Sequence, residues 1–132
     1  MIELSPFLRR VLLADAIFSG VSAVSLISGA APFAALFELP ETLLRGTGLF
    51  LILYTALVGW LATRQATAKA WIATVIAGNA AWTLASIALL LSGAVNPHAF
   101  GEIAIVLQAV ATGVLAELQY VGMRKSGSAL VA

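Results

Sequence analysis

The chain has 132 residues, 61% of them hydrophobic and only 10% charged, with a net charge of +1 and a mean hydropathy of +1.04. Soluble domains carry about 25% charged residues, so this composition excludes a water-soluble enzyme and points to an integral membrane protein. With no cysteine, the chain has no disulfides, thiolate chemistry or cysteine-held metal or iron–sulfur centre.

The head, MIELSPFLRR, is short, and Pro6 prevents a helix from running through it. Arg9 and Arg10 precede the apolar run 11–31, which is too long for the h-region of a signal peptide and lacks a clear cleavage context. It is read as the first span. Asp15, Ser19, Ser22 and Gly29 share one face of it, with Ser25 and Ser28 following around the helix. An aspartate at the centre of a span costs about 2.5–3.5 kcal/mol to insert, so it faces protein or water. Asp15 lies five residues past Arg10, roughly 7.5 Å along the axis, where pairing with a neighbouring Arg or Lys is the plainer expectation.

Pro32 and Pro40 bracket the next stretch, in which Phe33, Leu36 and Phe37 are expected to lie on the bilayer surface as a short interfacial helix. The second span follows, with Arg45, Gly48, Ile52, Thr55, Gly59 and Thr63 on one side and Tyr54 on another. Arg45 is placed to pair with Glu41, its i−4 neighbour. The short connection RQATAK makes spans two and three antiparallel neighbours, and Trp60 and Trp71 flank it as an aromatic belt.

The third span, 70–92, has two distinct sides. Ala70, Thr74, Ala77, Ala81, Ala85 and Ala88 form a narrow stripe of small side chains suited to close helix packing. Opposite them lie Asn79, Trp82 and Ser86, whose polar groups lipid cannot satisfy. Two opposed packing faces exceed what a corner helix of a four-helix bundle uses, which points to a second protomer or another protein; the plainer alternative is that Asn79 bonds within its own bundle.

Asn96 and Pro97 are suited to start the last helix, and His98, the sole histidine, forms at most a weak metal pair with Glu102. The fourth span carries Gln108, Thr112 and Gln119 on a face opposite Glu117, with Tyr120 one turn from that acid. The expected fold is therefore all-α: four transmembrane helices, about 10–31, 42–64, 70–92 and 100–123, in an up-down antiparallel bundle forming one domain, 1–125, with a flexible cytoplasmic tail, 126–132. Arg9, Arg10, Arg64, Lys69, Arg124 and Lys125 fall at one set of helix ends, and only Arg45 at the other. The positive-inside rule then puts both termini and the middle loop in the cytoplasm.

Asp15 and Glu117 sit at similar depth and form the one constellation with chemistry in it. Two close carboxyls in a low dielectric share a proton, the basis of an ion or proton site. The alternative is separate pairing, Glu117 with Arg124 or Arg64 and Asp15 with Arg10 or Lys69. Four short spans with an acid, Asp15, in the first resemble the small multidrug resistance transporters in outline. The run 78–86, GNAAWTLAS, and the ending ELQYVGMRK are similar to small four-span bacterial membrane proteins, a resemblance that implies a place in the bacterial inner membrane and no established activity. No phosphate-binding loop, nucleophile–base pair, metal motif or nucleic-acid face is present, so no catalytic or metal residues are assigned. The preferred reading is an interaction or accessory protein that meets the bilayer and a second copy or another membrane protein through Asn79, Trp82, Ser86, Gln108 and Thr112. The other readings are a minimal proton-coupled transporter or channel using Asp15 and Glu117, and a binder of lipid, quinone or pigment in an apolar interior.

Overall fold

A computed structural model describes residues 1–93, 95, 97 and 99–126. Two strands and five helices follow in the order β1 (Ile2–Glu3), α1 (Pro6–Ser28), α2 (Ala30–Phe37), α3 (Glu41–Thr63), β2 (Ala66–Thr67), α4 (Lys69–Ser92) and α5 (Ala99–Lys125). Four of these helices, α1, α3, α4 and α5, are long and apolar enough to cross a membrane. The protein is an all-α bundle of four membrane spans.

Each span turns a line of small or apolar residues inward at spacings of three and four. On α5 the line is Gly101, Ile105, Ala109, Thr112, Ala116, Gln119 and Gly122; on α1 it includes Leu8, Leu12, Asp15, Ser19 and Ala23. That repeat keeps one stripe of a helix facing its neighbours along its whole length. α1 packs most extensively on α3 and α4 on α5, while α1 and α5 join the two pairs. Glycine permits the closest crossings. A Cβ at Gly122 would lie 3.1 Å from the Cα of Leu8, and one at Gly48 would lie 2.7 Å from Ile27 Cγ1.

α3 and α4 are neighbours, as their short connection requires, but their backbones stand apart and aromatic rings fill the seam. Phe50 stacks on Trp82 at 5.8 Å, and Trp60 meets Trp71 edge-on at 6.4 Å. The small-residue stripe expected on α3 is used only in part: Gly48 is buried against α1 and Thr55 lies by Gly20, whereas nothing packs on Gly59.

The two ends of the bundle are closed differently. At the positively charged end, β1 pairs antiparallel with β2, and Ile2 and Leu4 are buried with Leu8, Leu12, Val58, Leu61, Ile72 and Val75. This strand plug has no counterpart in the sequence reading. Pro6 opens α1 with Ser5 as its cap, and Arg9 crosses to donate to the carbonyls of Ala62 and, at 2.8 Å, Arg64, satisfying acceptors freed at the end of α3. At the far end α2 forms the expected short helix, but Phe33 and Phe37 stack on each other and pack on Leu39, Leu44 and Ile105, leaving Leu36 outward. A ring face is better covered by the open mouth of the bundle than by headgroups. Glu41 and Arg45 form the expected surface pair at 2.6 Å.

Of the expected tail, Ser126 is tied to the bundle, where it accepts from the Ser5 backbone at 3.2 Å and donates to Gly122 at 2.8 Å. Residues 127–132, Asn96 and His98 lie outside the described residues, so the helix cap and the metal pair expected there do too.

Candidate functional site

The centre of the charged half of the bundle is a polar cluster to which every span contributes, α1 with two side chains and the others with one each. Asp15 of α1 is fully buried and accepts from Tyr54 of α3 at 2.8 Å, Asn79 of α4 at 2.9 Å and Gln119 of α5 at 2.6 Å, all on Oδ2; Ser19 donates to Oδ1 at 3.0 Å. Asn79 also donates to Gln119 Oε1 at 2.9 Å, so the two amides are locked to each other as well as to the acid. Counting residues from the charged helix ends, the cluster lies roughly 10–15 Å inside the bundle. It sits on the apolar layer of Leu8, Leu12, Val58, Leu61, Ile72 and Val75, with the strand plug beyond.

The local reasons are simple. Asp15 and Ser19 follow Leu8 and Leu12 on the inward line of α1; Asn79 follows Ile72 and Val75 on α4; Gln119 follows Thr112 and Ala116 on α5. In hydrocarbon these groups have no water to turn to, so they satisfy one another. Interhelical bonds in membranes average about 0.6 kcal/mol each, so the three donors from other helices return about 1.8 kcal/mol, part of the ~2.5–3.5 kcal/mol cost of inserting an aspartate at the centre of a span. Asp15 has no cationic partner within salt-bridge distance among the described residues, so the expected pairing with Arg10 or Lys69 is replaced by neutral donors.

A second network binds α4 to α5 in the other half. Trp82 Nε1 donates to Gln108 at 2.7 Å, Gln108 donates to Ser86 at 2.8 Å, and Thr83 bonds both Thr112, at 2.7 Å, and the Ala109 carbonyl, at 2.9 Å. The structure thus places Asn79, Trp82, Ser86, Gln108 and Thr112 on the inner side of α4 and α5, each with an intramolecular partner. The opposite stripe, Ala70, Thr74, Ala77, Ala81, Ala85 and Ala88, is exposed throughout.

Glu117 does not meet Asp15. Gln119, two positions on, occupies that place, and a two-residue step turns a helix by about 200°, so Glu117 points outward. It is exposed and, among the described residues, has neither a hydrogen bond nor an ion pair. Its expected cations are engaged elsewhere: Arg124 lies over Tyr120 at 6.0 Å and Arg64 over Trp60 at 5.5 Å. Glu117 stands where two surface grooves meet. One, of about 270 Å³, runs between α4 and α5 past Thr83, Ile87, Leu90 and Ile105; the other, of about 430 Å³, is lined by Ile76, Ala116, Tyr120 and Val121.

Tyr54, Asn79 and Gln119 are the residues that sequence reasoning did not join to Asp15. A signal existed: Tyr54 is three and four residues from the inward Leu57 and Val58, and Gln119 is in phase with Thr112 and Ala116. Among the described residues no three metal-ligating side chains converge.

Comparison with known proteins finds no counterpart. No family model, curated protein or solved structure matches the chain.

Proposed function

We propose that this chain is a small interaction protein of the bacterial cytoplasmic membrane, a stiff four-span bundle that associates through its outward helix faces with a second copy or as a subunit of a larger membrane complex. The six cations at one set of helix ends orient it with both termini in the cytoplasm. The carrying observation is the outward face of α4. Ala77, Ala81 and Ala85 repeat every four residues with Ala70, Thr74 and Ala88 on the same exposed side, a surface that lets another helix approach closely. The inner face of α4 is already engaged, bonded to α1 and α5 through Asn79, Trp82 and Ser86; the buried side-chain polar atom left without a partner among the described residues, Thr55 Oγ1, is on α3. Association accordingly falls to the opposite face.

The cysteine-free sequence makes the test clean. Single cysteines at Ala77, Ala81 and Ala85 are expected to cross-link in native membranes, and one at Leu53, outward on α3 and 73% exposed, is not. Equal cross-linking at all four positions, or none, defeats the reading.

A second reading, proton-coupled transport, draws on Asp15, fully buried in the charged half of the bundle with no cationic partner among the described residues. It requires the strand plug and the apolar layer below it to open, because Asp15 is fully buried and lines neither groove. Proton uptake by vesicles containing the chain, abolished in Asp15→Asn, would favour it over the first.

A further inference from the structure

The Glu117 groove identifies a partner more specifically than the alanine face does. We propose that it receives a transmembrane helix of another membrane protein, one that presents a lysine or arginine at the depth of Glu117; this rests on the interaction reading above but on a different surface.

Three observations carry it. Glu117 lies about two turns inside the charged end of α5, roughly 10 Å from Arg124, exposed on the outer surface and without a partner among the described residues. The side chains lining the two grooves around it are otherwise apolar apart from Thr83 and Tyr120, and none is basic. Helical side chains lean toward the N-terminus of their own helix. For α5 that direction is away from the nearer interface, so Glu117 is poorly placed to reach headgroups.

The depth selects the occupant. A phospholipid's ammonium stays in the headgroup layer and offers only methylenes at the level of Glu117. A second copy offers little more. Its outward residues at that level are apolar, such as Leu13, Ile17 and Ala77, apart from Thr74, whose hydroxyl already donates to the Ala70 carbonyl at 2.8 Å, Trp60, whose ring is taken by Arg64 and Trp71 and which carries no charge, and Glu117 itself, a like charge. Tyr120, one turn nearer the end, is engaged with Arg124. A basic side chain on a foreign helix supplies both the donor and the opposite charge, while its apolar neighbours fill a groove about 18 Å long from Ile105 to Glu117.

The test uses the full chain in phosphatidylcholine vesicles with two synthetic single-span peptides. Both are apolar helices with uncharged flanks; one has a single lysine two turns from its end and the other leucine there. Energy transfer between labels on protein and peptide is expected to show the lysine peptide binding about tenfold more tightly, with the preference lost in Glu117→Leu and in Glu117→Gln. Ala81→Leu, which obstructs the α4 face, is expected to leave the preference intact, so failure of the alanine-face reading and failure of this one are distinguishable. Equal binding of the two peptides, or a preference that survives Glu117→Leu, overturns the proposal. So does a Glu117→Leu chain whose self-association changes without peptide, since that outcome assigns the groove to a second copy.

Discussion

Asp15 and Glu117 are both carboxyls about two turns inside the charged end of the bundle, yet their surroundings are opposite. Asp15 is fully buried and takes hydrogen bonds from α3, α4 and α5 as well as from its own helix. Glu117 is exposed between two apolar grooves with no partner among the described residues. Depth therefore does not decide what a membrane-embedded acid does; its angular position on the helix does. The first acid is a fastening among the four spans, and the second is a request for a donor from outside.

The sharpest way to break this contrast is to remove the first acid. Asp15→Leu strands Tyr54, Asn79 and Gln119 in the interior, and the loss is expected to be about 2–4 kcal/mol, read as a lowered unfolding midpoint in detergent. If stability is unchanged, Asp15 is no fastening.

A smaller effect is expected from Gln108→Leu in the other half. It leaves the Trp82 indole without its acceptor and the Ser86 hydroxyl with only its bond to the Trp82 carbonyl, for about 1–2 kcal/mol, and only the α4–α5 contact loosens. Hydrogen exchange should rise along 82–90 and 105–112 but not around Asp15. Uniform exchange across the bundle would mean that the two networks are one cooperative unit.

Tyr54→Phe deletes a single donor to Asp15 and keeps the ring beside Phe50. About 0.6 kcal/mol is expected, the average for an interhelical bond in a membrane. A loss several times larger would show that the tyrosine hydroxyl orders the whole cluster. The least effect on folding belongs to the second acid: Glu117→Gln should shift the same unfolding midpoint by no more than the equivalent of about 0.5 kcal/mol, because nothing among the described residues bonds to it. A marked loss of stability would refute its assignment as outward and unpartnered.

Much was legible in the sequence because a bilayer leaves little choice. Predominantly apolar runs of some twenty residues, with at most an isolated charge inside, have to be helices, and the four spans follow from them; the uneven placement of Arg and Lys is equally plain in the sequence. The Glu41–Arg45 pair needs only an i,i+4 spacing on one helix, and the gathering of Gln108, Thr112 and Gln119 on a face opposite Glu117 needs only 100° per residue. What the sequence could not supply is how each helix is rotated against the others. Asn79 is equally compatible with an outer partner and an inner one, and Asp15 with an arginine or with three neutral donors. Those choices depend on which stripe of each helix turns inward, which is set by packing between residues far apart in the chain: Gly122 against Leu8, Gly48 against Ile27, Phe50 against Trp82. The strand plug was hidden for the same reason, since Ile2–Glu3 and Ala66–Thr67 are too short to read as strands until the bundle brings them together. Local physics determined that the chain crosses the membrane four times; the tertiary structure alone decided which acid is enclosed and which is offered.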